Sequence, residues 1–450
     1  MRELSLLARH AGTVFVGQIA VMAFGITDTM VAARYSGEAL AALSVGSATY
    51  ISIFVALLGV LSAQLPTWSE MRGAGRPIEL GRSVRQSLYL AAIVSATGMA
   101  VLLWPGPLLE WTDVPASLRG EVEHYLAILA LALPPALLFR LYSTLNQSLG
   151  KPLLVTWIQI GSLGLKIPLS LWFVFGGAGL PPQGLAGCAL ATLVVNWTML
   201  GIAVLMLRTQ DLYAPYRLWQ RLERPHGPTL RGFARLGIPT GLAVMVEVTS
   251  FTLMALFIAR QGMVAAASHQ VASTLGASLY MLPLALGIAT SARVSYWLGA
   301  QQPARARAVL RLGLKLALGL ALACALAVWL LQEPLARLFA GHNAPVVALA
   351  AALLPWVALY HVADAVQAVC VFILRSYGIA TASLVTYCVL LWGVGLGGGY
   401  LLAYGGVPGL APLQSPAAFW IAAALALALT AIAFLTLLWL ASRRHRPAAS

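Results

Sequence analysis

Twelve stretches of about 20 or more mostly apolar residues divide this chain of 450, and no other feature constrains its fold as tightly. They run approximately over residues 12–35, 43–67, 87–109, 124–145, 153–176, 185–207, 236–259, 267–291, 309–331, 346–373, 382–404 and 417–441. A hydrocarbon core about 30 Å thick is crossed by about 20 helical residues, so each stretch is long enough to span a bilayer. Backbone groups inside lipid must be satisfied within the segment itself, which favours the helix for separate apolar runs of this length. Connectors such as "RGAGRP", "LGKP" and "GAQQPARA" carry the Gly, Pro and charge that end helices. Hydrophobic residues make up 60% of the chain and charged ones 9%, too little charge to clothe a soluble domain. The expected class is an all-α polytopic membrane protein of twelve transmembrane helices embedded in a lipid bilayer.

The formal net charge is +14, which in a soluble protein would point to nucleic acid. Its placement says otherwise. With the N-terminus assigned to the cytoplasm, twenty-one Lys and Arg fall on that side (Arg2, Arg9, and those in 72–85, at Lys151, in 208–235, in 293–311, at Arg375 and in 443–446). Four (Arg34, Arg119, Arg260, Arg337) fall on the other. That bias is the one expected of a multi-pass protein with both termini cytoplasmic, and no nucleic-acid partner is expected. The first apolar run is longer than a signal-peptide core and eleven others follow it, so cleavage is not expected. Cys188, Cys324, Cys370 and Cys388 lie in apolar runs without CxxC spacing and read as small core residues. The seven histidines form no HExxH pair, and no phosphate-binding Gly-Lys loop occurs. A membrane-embedded enzyme would need a nucleophile or metal constellation that this sequence does not display. No catalytic residue, bound metal or cofactor is expected.

The chain also repeats itself. Ala20-Val21-Met22 returns in the second half as Ala243-Val244-Met245. The hairpin "GAGRPIELGRSVRQSLYLA" (73–91) returns as "GAQQPARARAVLRLGLKLA" (299–317), sharing Gly73/Gly299, Pro77/Pro303 and Arg85/Arg311. Leu133-Pro134 returns as Leu354-Pro355. The three landmarks recur at a nearly constant offset, which scattered chance matches would not keep. Six spans per half is an even number, so both halves cross in the same sense, as two pseudo-symmetric six-helix bundles do. The expected organisation is an N-lobe (1–207), an Arg-rich cytoplasmic linker (208–235) and a C-lobe (236–450).

Charge deep in such runs costs at least about 2.5–3.5 kcal/mol per group on insertion scales, so it marks function by default. Eleven of the fourteen acidic residues, Asp113 among them, sit in connectors or at run ends; Asp28, Glu247 and Asp364 do not. The repeat places Asp28 and Glu247 each on the first helix of its lobe. One reading is that each acid merely ties helices together by hydrogen bonds. Alternatively, a pair such as Glu247 with Asp364 can share a proton, or hold a cation with neighbouring oxygens.

Lys166 lies about ten residues from either end of its run, or ~15 Å at 1.5 Å per residue, too far for its ammonium to reach an interface. It is expected to face the protein interior. If the first and fifth helices pack together, pairing with Asp28 offsets the cost of burying both. Arg140 sits nearer a run end and reads as structural. His361, beside Tyr360 and three residues before Asp364, reads first as a packing residue. Pro168, Pro239, Pro283 and Pro355 predict bends within helices.

Five stretches together resemble the multidrug and toxic compound extrusion family, in its bacterial NorM-like branch. They are "FGITDTMVAARYSGEALAALSVGSATY", "SAQLPTWSEMRGAGRP", "GIPTGLAVMVEVTSF", "AAASHQVASTLGASLYMLPLALGIATSARV" and "LYHVADAVQAVCVFILRSYG". The resemblance runs from the first span to the twelfth. It implies two six-helix lobes, alternating access, and secondary active efflux of cationic, often aromatic drugs by antiport against H⁺ or Na⁺. It also implies a transporter of the bacterial inner membrane, and a monomer is expected. Position by position, Asp28 matches the family's N-lobe acid, while Glu247, Tyr360 and Asp364 match its C-lobe cation-coupling group.

One departure matters. The branch usually reads Asn-Ile-Pro-Leu-Asn on its fifth helix, and this chain has Lys166-Ile-Pro-Leu-Ser170. An ammonium there supplies positive charge where a sodium ion would bring its own. The expectation is an N-lobe latch of Asp28, Lys166 and Ser170 that takes no Na⁺, with H⁺ placed ahead of Na⁺ as the coupling ion. A lipid-linked oligosaccharide flippase of the same superfamily is the alternative. Its anionic pyrophosphate lipids call for several basic cavity residues, against which this sequence offers Arg140 and Lys166 beside three acids. A major-facilitator transporter would share the twelve helices, but "RGAGRP" lacks the Asp-Arg pair its loop needs.

Overall fold

All twelve apolar runs are helical in the computed structural model of the chain, which describes residues 2–111, 115–177, 179–341, 343–406 and 411–444. Asp113 and the basic tail beyond Arg444 lie outside the described residues. The helices long and apolar enough to cross a membrane are α1 (Glu3–Tyr35), α2 (Gly37–Gly73), α3 (Pro77–Leu103), α4 (Ala116–Ser148), α5 (Leu153–Phe175) and α6 (Leu185–Thr209), followed by α7 (Gly227–Ala259), α8 (Met263–Gly299), α9 (Pro303–Leu330), α10 (Ala344–Ser376), α11 (Thr381–Gly405) and α12 (Ala417–Arg443). The chain is a multi-pass all-α membrane protein.

Local chemistry sets many of the helix ends. Ser36 caps α2 by accepting a hydrogen bond from the Ala39 amide at 2.9 Å. Pro77 and Pro303 open α3 and α9, where a missing amide proton costs nothing. Several helices extend beyond their apolar runs, because polar turns go on satisfying backbone groups after the hydrophobic stretch ends. One such extension is α7, which begins at Gly227 inside the sequence that reads as linker. Between α6 and α7 remains a short segment with one 3₁₀ turn, Asp211–Tyr216. Short helices also occupy two connectors, Gly106–Trp111 and Gln332–Ala340.

The helix ends correct one reading of the repeat. At the end of α4, Gly150 has φ +66°, and the Lys151 amide donates to Asn146 O at 2.8 Å. At the end of α10, Gly378 has φ +72°, and the Ile379 amide donates to Leu374 O at 3.0 Å. Both are left-handed glycine caps of the Schellman type, and they align α4 with α10 by setting Gly150 against Gly378. The Leu133-Pro134 match to Leu354-Pro355 is therefore two turns out of register. Apolar dipeptides recur by composition, whereas a cap fixes a backbone position. The hairpin match survives: Arg76 N donates to Met71 O at 3.0 Å, and at the matched positions Gln302 N donates to Trp297 O at 2.9 Å.

Two compact units emerge from the packing. One comprises residues 16–241, and the other runs from 242 onward together with the first fifteen residues. The first has a core around Trp68, Leu80, Leu126 and Leu133, all fully buried, with Trp68 Nε1 donating to Ser83 Oγ at 3.0 Å. In the second, the largest buried side chains are Trp420, Tyr387, Phe419 and Phe434.

Candidate functional site

In the first unit, the predicted neighbours meet. Lys166 on α5 is fully buried, and its Nζ lies 2.7 Å from Asp28 Oδ1 on α1. The same ammonium donates to Thr192 Oγ1 at 2.6 Å and to the Cys188 carbonyl at 3.1 Å, both on α6. An ammonium has three protons to give, and here each has an acceptor. Ser170, one turn along α5, donates to Asp28 Oδ1 at 3.4 Å. The Cys188 thiol approaches the Asp28 carbonyl at 4.0 Å. Asp28 is thus a buried carboxylate held by a saturated cation and a hydroxyl.

The second unit arranges its acids differently. Tyr360 and Asp364 sit one turn apart on α10, so they project from the same face. Glu247 on α7 and Tyr360 line a tight pocket with Phe251, Met254, Leu391 and Gly395. Its free volume of ≈ 20 Å³ admits a water molecule or small ion and no organic molecule. Among the described residues no hydrogen-bond donor reaches the Glu247 carboxyl. Asp364 Oδ1 accepts from Gln367 Nε2 at 2.8 Å. Gln367 Oε1 in turn accepts from the Tyr387 hydroxyl on α11. The partner of Asp364 is therefore a neutral amide, itself held by a phenol, rather than a cation.

Rings and an irregular helix shape this pocket. Phe251, Tyr360 and Trp420 meet edge to face in pairs, with centroids 5.4–6.0 Å apart. On its far side, α11 has π-helical turns over Cys388–Gly397 and Leu401–Gly405. Such turns are rare and occur preferentially at functional sites. Trp392 on this segment donates to the Val246 carbonyl at 3.3 Å, next to Glu247.

Other predicted residues take lesser places. His361 is buried, and its Nε2 has no partner among the described residues. Arg140 is half-buried and donates from Nε to Ser62 Oγ at 3.2 Å, a tie between α4 and α2. Arg375 is a correction. It reads as a connector residue in the sequence, yet it lies in the last turn of α10 with 7% exposure. Sequence reasoning also missed Thr192, Gln367 and Tyr387, for which spacing gives no signal. The run Gly393, Gly395, Gly397, Gly398, Gly399 is an available hint of irregular helix in α11.

The chain is similar to known proteins in sequence and in fold. The MatE family model matches residues 14–172 and 239–401. A probable multidrug resistance protein NorM of Aromatoleum aromaticum is 39% identical over 438 residues, covering 97% of this chain and 94% of that protein. The multidrug resistance protein NorM of Vibrio cholerae is 33% identical over 405 residues, covering 89% of this chain and 88% of that one. Among solved structures, the eukaryotic MATE transporter AtDTX14 shares the fold with a TM-score of 0.88 at 20% identity, covering 99% and 98% of the two chains. The chain belongs to the MatE family, in its bacterial NorM-like branch.

Proposed function

We propose that this protein is a secondary multidrug efflux transporter of the bacterial inner membrane that exchanges organic cations for H⁺ by alternating access. In this reading the chain forms an N-lobe (1–207) and a C-lobe (236–450) joined by a cytoplasmic linker (208–235), with both termini cytoplasmic, and works as a monomer. Glu247 and Asp364 bind the coupling ion, and Tyr360 closes the pocket over it. Asp28, Lys166 and Ser170 form a latch that is shut while the ion pair holds.

The observation that carries the assignment is the Glu247 carboxyl, which faces a water-sized pocket without a hydrogen-bond donor. A half-buried carboxyl left without a partner beside apolar rings costs free energy, and arrival of a proton or cation relieves it. Asp28 offers no such vacancy, since Lys166 already supplies its counter-charge at 2.7 Å. The relatives named multidrug resistance proteins support drugs as the substrates.

Proteoliposomes test the reading. A pH gradient in sodium-free buffer should drive ethidium efflux, and strict dependence on Na⁺ would overturn the proton assignment. Monovalent organic cations should move far better than anionic dyes of similar size, because an anion near these carboxylates meets repulsion in a low dielectric. Equal handling of the two would refute the cation preference.

A further inference from the structure

The connector from α9 to α10 folds as the short helix Gln332–Ala340, whose one buried residue, Ala336, packs with Val271 of α8 and Ala350 of α10. Its other side chains fall into two stripes. Leu335, Leu338 and Phe339 form one, with Leu338 75% exposed. Glu333 and Arg337 form the other, on the opposite side of the helix at 3.6 residues per turn. These two are exposed and hydrogen-bonded to each other at 2.5 Å. Gly341, left-handed at φ +62°, ends the helix, and its amide donates to Arg337 O at 2.9 Å.

Between the charged side of this helix and α10 runs a groove with a free volume of ≈ 630 Å³, within the range of small-molecule sites. Its two walls differ. One carries Glu333 and Arg337, and the other is the α10 stripe Ala344, Val347, Ala348, Ala351 and Ala352. Spacings of three and four put these five on one face, and Ala344, Ala348 and Ala352 are exposed. The first unit has no counterpart to the apolar wall. With α4 aligned to α10 by the glycine caps, the same positions read Ala116, Arg119, Gly120, Glu123 and His124.

A groove with one charged and one small apolar wall matches an amphiphile. It lies in a connector between two spans, hence at a membrane surface, where phospholipid headgroups are. We propose that this groove is a binding site for one phospholipid with a phosphoethanolamine headgroup, its acyl chain along the α10 alanines, its phosphate on Arg337 and its ammonium on Glu333. The wall holds one cation and one anion, so it offers a zwitterion a partner for each charge and an anionic lipid no net attraction. An ammonium donates hydrogen bonds to a carboxylate, which the trimethylated nitrogen of choline cannot do. An exposed pair four residues apart on a helix is weak, so opening it to the headgroup costs little. The site is independent of the ion that drives transport.

The test is native mass spectrometry of the full chain in detergent, titrated separately with phosphatidylethanolamine, phosphatidylcholine and phosphatidylglycerol. Wild type should bind one phosphatidylethanolamine about fivefold more tightly than either other lipid, the scale of one exposed charge pair. Ala348→Phe fills the groove from a lipid-facing position and should weaken that binding about tenfold, as overpacking does. Glu333→Gln should bring phosphatidylethanolamine down to the phosphatidylcholine level, and Arg337→Gln should weaken both. Equal binding of the three lipids to wild type overturns the proposal, as does wild-type phosphatidylethanolamine binding in Ala348→Phe. If Ala348→Phe does not insert, an unchanged preference over phosphatidylcholine in Glu333→Gln overturns it instead. Ethidium binding that Ala348→Phe abolishes while phosphatidylethanolamine binding persists would give the groove to a drug, and the proposal would fall.

Discussion

In residues 16–241 the buried carboxylate of Asp28 meets an ammonium whose three protons are all taken, by Asp28, Thr192 and Cys188. In the second unit the Glu247 carboxyl has no such donor and faces a small pocket, while Asp364 leans on the neutral amide of Gln367. Both arrangements keep acid away from lipid, but they differ in what can enter. A carboxylate already matched by a tethered cation gains little from a second one. A carboxyl with vacant oxygens gains much. In the proposed function, ion exchange belongs to the second unit and structural closure to the first, from two acids that each lie on the opening helix of their half.

The largest effects should come from the vacant site. Glu247→Gln and Asp364→Asn keep shape and remove a titratable charge, so each should lower drug efflux by about 100-fold or more, the equivalent of roughly 2.7 kcal/mol. Expression and membrane insertion should be unchanged. Asp28→Asn, with Lys166 still present, should impair turnover yet leave the dependence on the coupling ion as in wild type. Near-normal efflux from Glu247→Gln at matched expression would erase the distinction between the units.

After the effects on efflux comes the cost to stability of breaking the matched pair. Lys166→Met leaves Asp28 buried and uncompensated, a change of about 3–5 kcal/mol when one partner of such a pair is removed. The double variant Asp28→Asn/Lys166→Met has no stranded charge and should recover most of that loss in detergent thermal unfolding. Lys166→Asn, which removes the fixed cation but leaves oxygens, should make efflux responsive to Na⁺. A Lys166→Met protein as stable as wild type, or a Lys166→Asn protein with unchanged ion dependence, would sink the latch.

How far this contrast was legible in the sequence follows from what each feature depends on. The twelve helices were readable because span length is fixed by bilayer thickness, a local property. Lys166 was placed inside because its side chain is too short to escape, and Asp28 followed as an acid available to it. Gln367, Tyr387 and Thr192 were not readable, since they matter through contacts between helices and sit in no motif. Arg375 was misplaced because positive charge near a span end ordinarily marks a connector, and nothing local says that α10 carries it inward. The register between halves needed the backbone: Gly150 and Gly378 are common residues in sequence, and their positive φ makes them landmarks.

The smallest expected effect concerns Arg85 and Arg311, which the repeat pairs and the structure separates. Arg85 on α3 is buried, donating to Arg217 O at 2.7 Å and to Glu223 Oε1 at 2.6 Å. Beside it, Gln86 donates to Arg224 O at 3.0 Å and accepts from the His226 amide at 2.9 Å, and Tyr89 donates to Glu223 O at 2.8 Å. The segment between α6 and α7 is thus strapped to α3, whereas Arg311 on α9 is exposed. The hydrogen bond and charge of Arg85, helped by Arg82, hold the Glu223 carboxyl below its ordinary value. A group lowered in this way stabilises the strap above the ordinary carboxyl value and ceases to as pH falls through its own lower one. Arg85→Ala removes charge-assisted hydrogen bonds and should cost about 1–3 kcal/mol, read as about tenfold faster amide exchange over residues 217–226 at neutral pH. Arg311→Ala should leave exchange in its own unit unchanged. In the wild type, exchange over 217–226, corrected for the intrinsic rate, should quicken as pH falls below the ordinary glutamate range, and that pH response should be absent in Arg85→Ala. Equal effects of the two alanine variants would mean that the strap is not what distinguishes these arginines, and the asymmetry between the units would then rest on the buried acids alone.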